Sequence, residues 1–140
     1  MLIIGNDHAG TGLKNLLVDW AREQNVEVIN HGTDGVDSVD YPDFAKAVCK
    51  DLNTKNGLGV LICGSGNGIA MTANKFKHIR AAICWNTELA SLARQHNNAN
   101  VLVLPARFVS EAEGLEILKA FLSAEFEGGR HERRVNKIIE

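Results

Sequence analysis

The sequence alternates five short apolar runs with stretches whose apolar residues recur at helical spacing. The runs cover residues 2–5, 26–29, 58–63, 80–84 and 101–104. They lack polar alternation, which is typical of parallel strands covered by helices on both faces. We therefore predict an α/β fold with a five-stranded parallel doubly wound sheet, in a Rossmann-like three-layer sandwich.

Each run is followed by a segment predicted to be helical, within residues 13–20, 44–52, 67–76, 89–95 and 112–121. A sixth segment, 130–140, has apolar residues on one stripe and predicts an extended C-terminal helix. Gly128 and Gly129 form a flexible joint before it. We therefore expect this tail to reach away from the single domain, 1–140, and to complete a site in a dimer.

The 140-residue chain carries 15 Lys and Arg against 17 Asp and Glu, although residues 130–137 alone hold four basic residues and one acidic residue. That balance argues against a general nucleic-acid or membrane-surface binder. No apolar run approaches the roughly 20 residues of a membrane-spanning helix, and the first residues lack the features of a signal peptide. Three cysteines fit neither a disulfide framework nor a zinc site, so we expect a reducing cytoplasm.

A glycine-rich turn follows the third predicted strand, where residues 63–68 read Cys-Gly-Ser-Gly-Asn-Gly. Ligands of doubly wound sheets bind beyond the carboxyl ends of strands, and amides at a helix start suit an anion or a thiolate. The spacing matches neither a dinucleotide-binding loop nor a Walker A loop, and Ile69 stands where a cysteine phosphatase needs arginine. The alternative interpretation is a tight turn beside a buried core cysteine.

Two histidine-containing pairs are further candidates. Asp7 and His8 follow the first strand, where an aspartate can orient an imidazole or bind a sugar hydroxyl. The alternative for this pair is a helix N-cap beside a surface histidine. His96 and Asn97 close the fourth predicted helix, either as an ordinary C-terminus or as a general acid/base with an amide donor beside it.

Arg130 and Arg134 stand four positions apart, so they share one helix face and suit a phosphate monoester. The alternative is a solvated basic tail. Arg107, just past the fifth strand, is either a third anion contact or a salt-bridge residue. The five histidines show no HxH or HExxH spacing, so we expect no set of metal ligands. Together these groups predict a metal-free proton transfer on a sugar phosphate.

Five motifs in order, IGNDHAG, VDYPDFA, CGSGNG with IAMTANK, RQHNNANVL and FEGGRHERRV, resemble the family of ribose-5-phosphate isomerase B. This family also includes allose-6-phosphate and galactose-6-phosphate isomerases. The resemblance covers nearly the whole chain. It implies a cofactor-free aldose–ketose isomerisation of ribose 5-phosphate to ribulose 5-phosphate, in the pentose phosphate pathway, by a homodimer or a dimer of dimers with sites shared across the interface.

The resemblance also implies three catalytic residues. Cys63 would be the base that moves the proton between C2 and C1, His96 would open the furanose ring, and Ser65 would help to hold the enediolate. Asp7 and Asn97 would bind sugar hydroxyls. The full substrate-binding set implied is Asp7, His8, Tyr41, Gly64, Gly66, Asn67, Gly68, Asn97, Arg107, Arg130 and Arg134, with His8, Arg130 and Arg134 on the phosphate, Arg107 nearby and Tyr41 lining the sugar pocket.

Two departures from the family pattern bear on these roles. Ser65 replaces the commoner threonine but keeps the hydroxyl. Asn67 resembles a branch that lacks the cysteine and uses a carboxylate immediately after the loop; here that position is Ile69 and Cys63 is present, so Cys63 is expected to be the base. Two alternatives remain at this stage, an isomerase of a six-carbon 6-phosphate and a non-catalytic module that binds a sugar phosphate or nucleotide.

Overall fold

The computed structural model describes residues 1–139. Within those residues, five strands alternate with helices, and a 3₁₀ turn at His8–Gly10 joins the first strand to the first α-helix. The elements are β1 (Leu2–Asn6), α1 (Thr11–Glu23), β2 (Val28–Asn30), α2 (Tyr41–Leu52), β3 (Leu58–Cys63), α3 (Asn67–Ala73), β4 (Ala81–Ile83), α4 (Thr87–Asn97), β5 (Val101–Pro105), α5 (Glu111–Ser123) and α6 (Arg130–Asn136).

All five strands are parallel and lie in the order β2-β1-β3-β5-β4, which confirms the predicted parallel sheet. β3 is central, with Leu61 opposite Gly5 of β1 on one side and Val103 of β5 on the other. The strand order reverses between β1 and β3. Ligands of open α/β sheets bind at the carboxyl ends of the strands beside such a reversal.

Helices cover both faces of the sheet, as the three-layer prediction requires. α1, α4 and α5 pack on one face, whereas α2 and α3 pack on the other. Successive residues of β1 therefore enter different cores, Ile3 with α2 and α3, and Ile4 with the other three helices. β1 and β5 are buried along their whole length, whereas the edge strands β2 and β4 are not.

The predicted second strand, 26–29, starts later than expected, at Val28. Asn25 adopts a left-handed conformation with φ 60°, and the Val26 N–H donates to the Ala21 carbonyl at 2.9 Å. Residues 25 and 26 therefore close the end of α1 and are not free to pair in the sheet.

The third predicted helix, 67–76, ends at Ala73, and the fourth predicted strand, 80–84, is only Ala81–Ile83. One side chain accounts for the early helix end. Asn74 Nδ2 donates to the Ala81 carbonyl at 3.0 Å, and the Ala81 N–H donates back to Asn74 Oδ1 at 2.9 Å. The Arg80 carbonyl accepts from the N–H groups of Asn100 and Val101, and the Cys84 N–H donates to the Val103 carbonyl, so these groups face β5. The N–H and carbonyl of Ala81 therefore face the outer edge of β4, where Asn74 covers them.

The C-terminal segment is shorter than predicted and does not reach away from the domain. α6 spans Arg130–Asn136, turns follow to residue 139, and Glu140 lies outside the described residues. Gly128 and Gly129, with φ of 68° and 56°, reverse the chain. The Glu127 N–H then donates to the Gln95 carbonyl at 3.0 Å, so α6 packs against the end of α4 in the same chain.

Within residues 1–139, no helix has both the length and the apolar character that crossing a membrane requires.

A buried lysine anchors the loop between β2 and α2. The Lys14 side chain on α1 is 0% exposed and pairs with Asp34, whose side chain is 75% exposed. The hydrogen bond from Lys14, together with its charge, holds the pKa of Asp34 below its usual value. The Thr11 hydroxyl donates to the Gly35 carbonyl in the same loop, at 2.7 Å. Two side chains of α1 therefore hold this loop in place.

We expect Asp34→Asn to lower the free energy of unfolding by about 1–3 kcal/mol, because it leaves a buried ammonium without its counter-charge. Adding Lys14→Met should recover part of the loss. Because the pKa of Asp34 is lower in the folded than in the unfolded chain, its ionised form stabilises the fold at pH values above the unfolded pKa. This stabilisation is lost as the pH falls through the folded pKa. Urea unfolding at pH 7 and pH 3 measures both effects; a double variant less stable than Asp34→Asn at pH 7 contradicts the assignment.

Candidate active site

Three strand ends meet at the carboxyl edge of the sheet, around the end of β3. The Asp7 N–H donates to the Ile62 carbonyl at 3.1 Å, which ties the loop after β1 to β3. The Ala106 N–H donates to the Cys63 carbonyl at 2.9 Å, and the Arg107 N–H to the Gly64 carbonyl at 3.0 Å. The loops after β1, β3 and β5 are therefore fixed to one another by backbone hydrogen bonds.

The glycine-rich turn forms the floor of this region. Gly66 has φ 80°, a conformation that favours glycine, and a Cβ there would lie 3.2 Å from Val103. The Asn67 N–H donates to Ser65 Oγ at 3.2 Å as α3 begins. The following amides in the first turn of α3 have no acceptor within the helix. The turn therefore presents backbone donors to a negatively charged oxygen, beside the end of β3.

Tyr41 lies over this turn. A Cβ built on Gly68 would come within 2.3 Å of the Tyr41 ring, so only glycine allows the ring to approach this closely. Tyr41 is the first residue of α2 and is 38% exposed. The ring therefore forms one wall of the region, with its hydroxyl close to the turn.

Asp7 and His8 adopt a fixed geometry at the end of β1. Asp7 is buried, and the Ala9 N–H donates to its Oδ1 at 3.0 Å, so the helix N-cap interpretation holds for one of its oxygens. The Val39 N–H donates to His8 Nδ1 at 3.2 Å. A neutral His8 then carries its proton on Nε2, which is left as a donor for an anion.

Like Cys49 and Cys84, Cys63 is buried, and it ends β3 among these groups. Its residue is 5% exposed at the carboxyl edge. Burial raises the pKa of Cys49 to about 11 and that of Cys84 to about 12. Both are core residues, as predicted. Arg107 passes over the turn, 3.3 Å from where a Cβ of Gly64 would lie.

His96 and Asn97 lie at the opposite edge of the sheet. α4 runs back from the end of β4 to the start of β5, and the Gly59 N–H at the start of β3 donates to the Asn100 carbonyl at 2.8 Å. Cys63 lies four positions after Gly59 along β3, which places the two residues about 13 Å apart. A small sugar at Cys63 is therefore out of reach of His96 in the same chain.

α6 and the segment before it add four more groups at this amino edge. His131 stacks on His96 with ring centroids 4.1 Å apart and an angle of 8° between the planes. Glu127 Oε1 lies 3.6 Å from His96 Nε2 and 3.8 Å from His131 Nε2. Partial burial lowers the pKa of His131, and the charges of His96 and Arg130 lower it further. Arg130 and Arg134 are exposed on the same short helix.

The predicted site residues thus fall into two sets. The carboxyl-edge set contains Asp7, His8, Tyr41, Cys63, Gly64, Ser65, Gly66, Asn67, Gly68 and Arg107. The amino-edge set contains His96, Asn97, Arg130 and Arg134. One chain does not bring the two sets together.

Three residues at these two edges were given no role in the prediction from sequence. Asn6 is fully buried, and its Nδ2 donates to the carbonyls of Asp7 at 2.8 Å and Thr33 at 3.1 Å, so it fixes the loop after β2 against the end of β1. The available signal was a polar residue at the end of a buried apolar strand. Glu127 and His131 are four residues apart, but their approach to His96 depends on the turn at Gly128 and Gly129 and has no local signature.

The chain matches a known family and known proteins over nearly its whole length. The profile of the family described as Ribose/Galactose Isomerase matches residues 2–138. A probable ribose-5-phosphate isomerase B of Mycoplasma pneumoniae is 46% identical over 140 residues, which are 99% of this chain and 92% of that protein.

Two solved structures have the same fold. A ribose 5-phosphate isomerase of Thermotoga maritima superposes with a TM-score of 0.95 at 45% identity, covering 98% of this chain and 95% of that chain. A ribose-5-phosphate isomerase B of Mycoplasma genitalium, with bound ribulose-5-phosphate, superposes with a TM-score of 0.94 at 45% identity, covering 99% of this chain and 93% of that chain.

The three thiols should differ in their reactivity. We expect iodoacetamide to alkylate Cys63 in the native protein before Cys49 and Cys84, because those two are 0% and 1% exposed and their pKa values are raised. Peptide mass spectrometry after timed labelling measures the order. Cys63→Ser should leave the native protein almost unlabelled, whereas labelling of all three cysteines at equal rates contradicts the expectation.

Proposed function

Because the chain belongs to the ribose/galactose isomerase family, we propose that it interconverts ribose 5-phosphate and ribulose 5-phosphate through an enediolate. The observation that carries the proposal is the placement of Cys63 beside an amide-rich turn and Asp7, where the strand order reverses. The relative of M. genitalium, whose structure contains ribulose-5-phosphate, supports the choice of a five-carbon sugar.

The chemistry needs only proton transfers. In the open-chain aldose, the Cys63 thiolate removes the proton from C2, and the electron pair moves to O1 to give the enediolate. The proton of the O2 hydroxyl passes to O1, which leaves the negative charge on O2. The Cys63 thiol then returns its proton to C1 while the carbonyl forms at C2, and the thiolate is regenerated. Hydrogen moves as a proton throughout, so no redox cofactor is required. Amides of the turn and the Ser65 hydroxyl stabilise the negative oxygens as they develop.

The remaining groups of the carboxyl edge position the substrate in this proposal. Asp7 accepts from a sugar hydroxyl through the oxygen that does not cap the 3₁₀ turn. Tyr41 packs against the sugar chain from its position over Gly68. His8, as an Nε2 donor, and Arg107 bind the phosphate.

Ribose 5-phosphate is mainly a furanose and must be opened before C2 is acidic. We assign this step to His96, which takes the proton of the O1 hydroxyl while a proton returns to the ring oxygen, with Asn97 on a neighbouring hydroxyl. Since His96 lies at the other edge of the sheet, it must come from a second copy of the chain. Arg130 and Arg134 of that copy would then complete the phosphate site.

The surface near β4 supports such a homodimer. Ala81 and Ile83 of β4 are only partly buried on the face that carries α2 and α3. Met71 on α3 projects beside them and is 67% exposed. A two-fold dimer through this face would bury these apolar groups and create two equivalent sites. Pairing of two dimers is not needed to complete either site.

The free thiols support a reducing cytoplasm as the compartment. Cys49, Cys63 and Cys84 form no disulfide within residues 1–139. A thiol base loses its function when oxidised, so the proposed chemistry requires a compartment that keeps Cys63 reduced.

Two variants test the catalytic assignments. Cys63→Ala should lose at least about 10³-fold in turnover from either sugar while it still binds sugar phosphate, because only the base is removed. His96→Ala should lose activity with ribose 5-phosphate but retain it with ribulose 5-phosphate, which is open-chain because its C5 oxygen carries the phosphate. Initial rates in both directions and calorimetric binding measure these effects.

Cys49→Ala is the matched control, since it removes a thiol that the site does not use. Retained turnover in Cys63→Ala would overturn the assignment of the base. Faster turnover of allose 6-phosphate or galactose 6-phosphate than of ribose 5-phosphate would make the protein a six-carbon isomerase. Thermal stabilisation by sugar phosphates without exchange of the C2 proton would make it a binding module.

Mixed dimers test the shared site. When Cys63→Ala and His96→Ala chains are refolded together in equal amounts, half of the dimers are mixed and each mixed dimer has one intact site. We expect about 25% of wild-type activity with ribose 5-phosphate, although each variant alone has almost none. A mixture no more active than the separate variants, despite confirmed mixed dimers by mass spectrometry, contradicts a site shared between chains.

A further inference from the structure

The amino edge holds a cluster whose donor atoms match a metal site. His96, Glu127 and His131 each offer one atom, and all three atoms lie within 4.8 Å of one another. The carboxylate oxygen lies 3.6 Å from one imidazole nitrogen and 3.8 Å from the other. Tetrahedral ligands at zinc–ligand distances of 2.0–2.1 Å stand about 3.3 Å apart. Each carboxylate–imidazole separation is within about half an ångström of that value, whereas the two stacked imidazoles must turn before both nitrogens face one ion.

The backbone already holds these side chains together before any ligand binds. His96 is in the last turn of α4, and the Glu127 N–H donates to the carbonyl of the preceding residue, Gln95. The turn at Gly128 and Gly129 then returns the chain so that His131 stacks on His96. The main adjustment that a metal requires is a rotation of the parallel rings toward a common point.

We propose that His96, Glu127 and His131 form a binding site for a divalent transition metal of the zinc class. Two imidazole nitrogens and one carboxylate oxygen are a donor set that zinc uses with a fourth, open position. The cluster is partly open, with His131 at 13% and Glu127 at 52% side-chain exposure, so an ion can enter from solvent.

The proposed site makes the metal an inhibitor, a consequence that rests on the proposed function. A metal on His96 occupies the nitrogen that would otherwise exchange protons with the furanose. Zinc should therefore slow turnover of ribose 5-phosphate more than turnover of open-chain ribulose 5-phosphate. Zinc on the Cys63 thiolate would instead slow both directions equally, because both use that base.

Binding is tested first, without any assay of activity. Equilibrium dialysis against Zn²⁺ in a Cys63→Ser background, which removes the thiol ligand, should give one ion per chain. Glu127→Gln and His131→Asn in that background should each weaken binding at least about tenfold. His31→Asn is the matched control, because His31 pairs with Asp51 at 2.5 Å as a histidine–carboxylate pair outside the cluster. Absence of a stoichiometric ion, or equal losses in all three variants, overturns the site.

Kinetics with otherwise native chains then test the consequence. Each variant is compared with its own metal-free rate. In the native chain, Zn²⁺ should raise the ratio of the rate with ribulose 5-phosphate to the rate with ribose 5-phosphate at least about tenfold. In Glu127→Gln and His131→Asn this ratio should not rise. Equal inhibition of both directions that neither variant relieves would place the inhibitory ion on Cys63 and overturn the inference. If metal-free His96→Ala shows no preference for ribulose 5-phosphate, the ring-opening assignment fails, while the dialysis result still decides the metal site.

Discussion

The parallel sheet imposes the constraint from which the rest of this molecule follows. Every strand points the same way, so every connecting helix must run back across the sheet before the next strand begins. Residues that follow strands therefore collect at one edge, and residues that end helices collect at the other. Cys63 belongs to the first kind and His96 to the second. A reaction that needs both groups cannot be contained within one copy of this domain.

Much of the fold could be predicted from the sequence because strand position and burial leave a local pattern. A strand overlaps each of the five apolar runs, the glycine-rich turn at 63–68 joins β3 to α3, and Asp7 follows β1, as predicted. Element ends were less predictable where a distant contact decided them. Asn74 ends α3 by bonding to Ala81, seven residues on, and helical periodicity contains no trace of that bond.

The candidate site residues came from the sequence, whereas their arrangement came only with the fold. Motif and residue type gave Cys63, His96 and Arg130 as candidates, and the family resemblance implied sites shared between chains, but neither says which candidates lie together in one chain. Once the topology is known, the place of His96 at the end of α4 puts it at the amino edge of the sheet, because each helix runs opposite to the strands. The approach of Glu127 to His96 and His131 depends on two glycines with positive φ, whose combined effect on chain direction local spacing does not reveal.

The covered edge of β4 has a consequence for how copies of this chain assemble. An edge strand with free N–H and C=O groups can template a further strand, and repeated addition leads to open fibres. Here the Asn74 amide imitates one residue of a neighbouring strand and occupies both outward groups of Ala81. Sheet extension is blocked at that position, so the outer edge of β4 does not template an open-ended addition of further copies at Ala81.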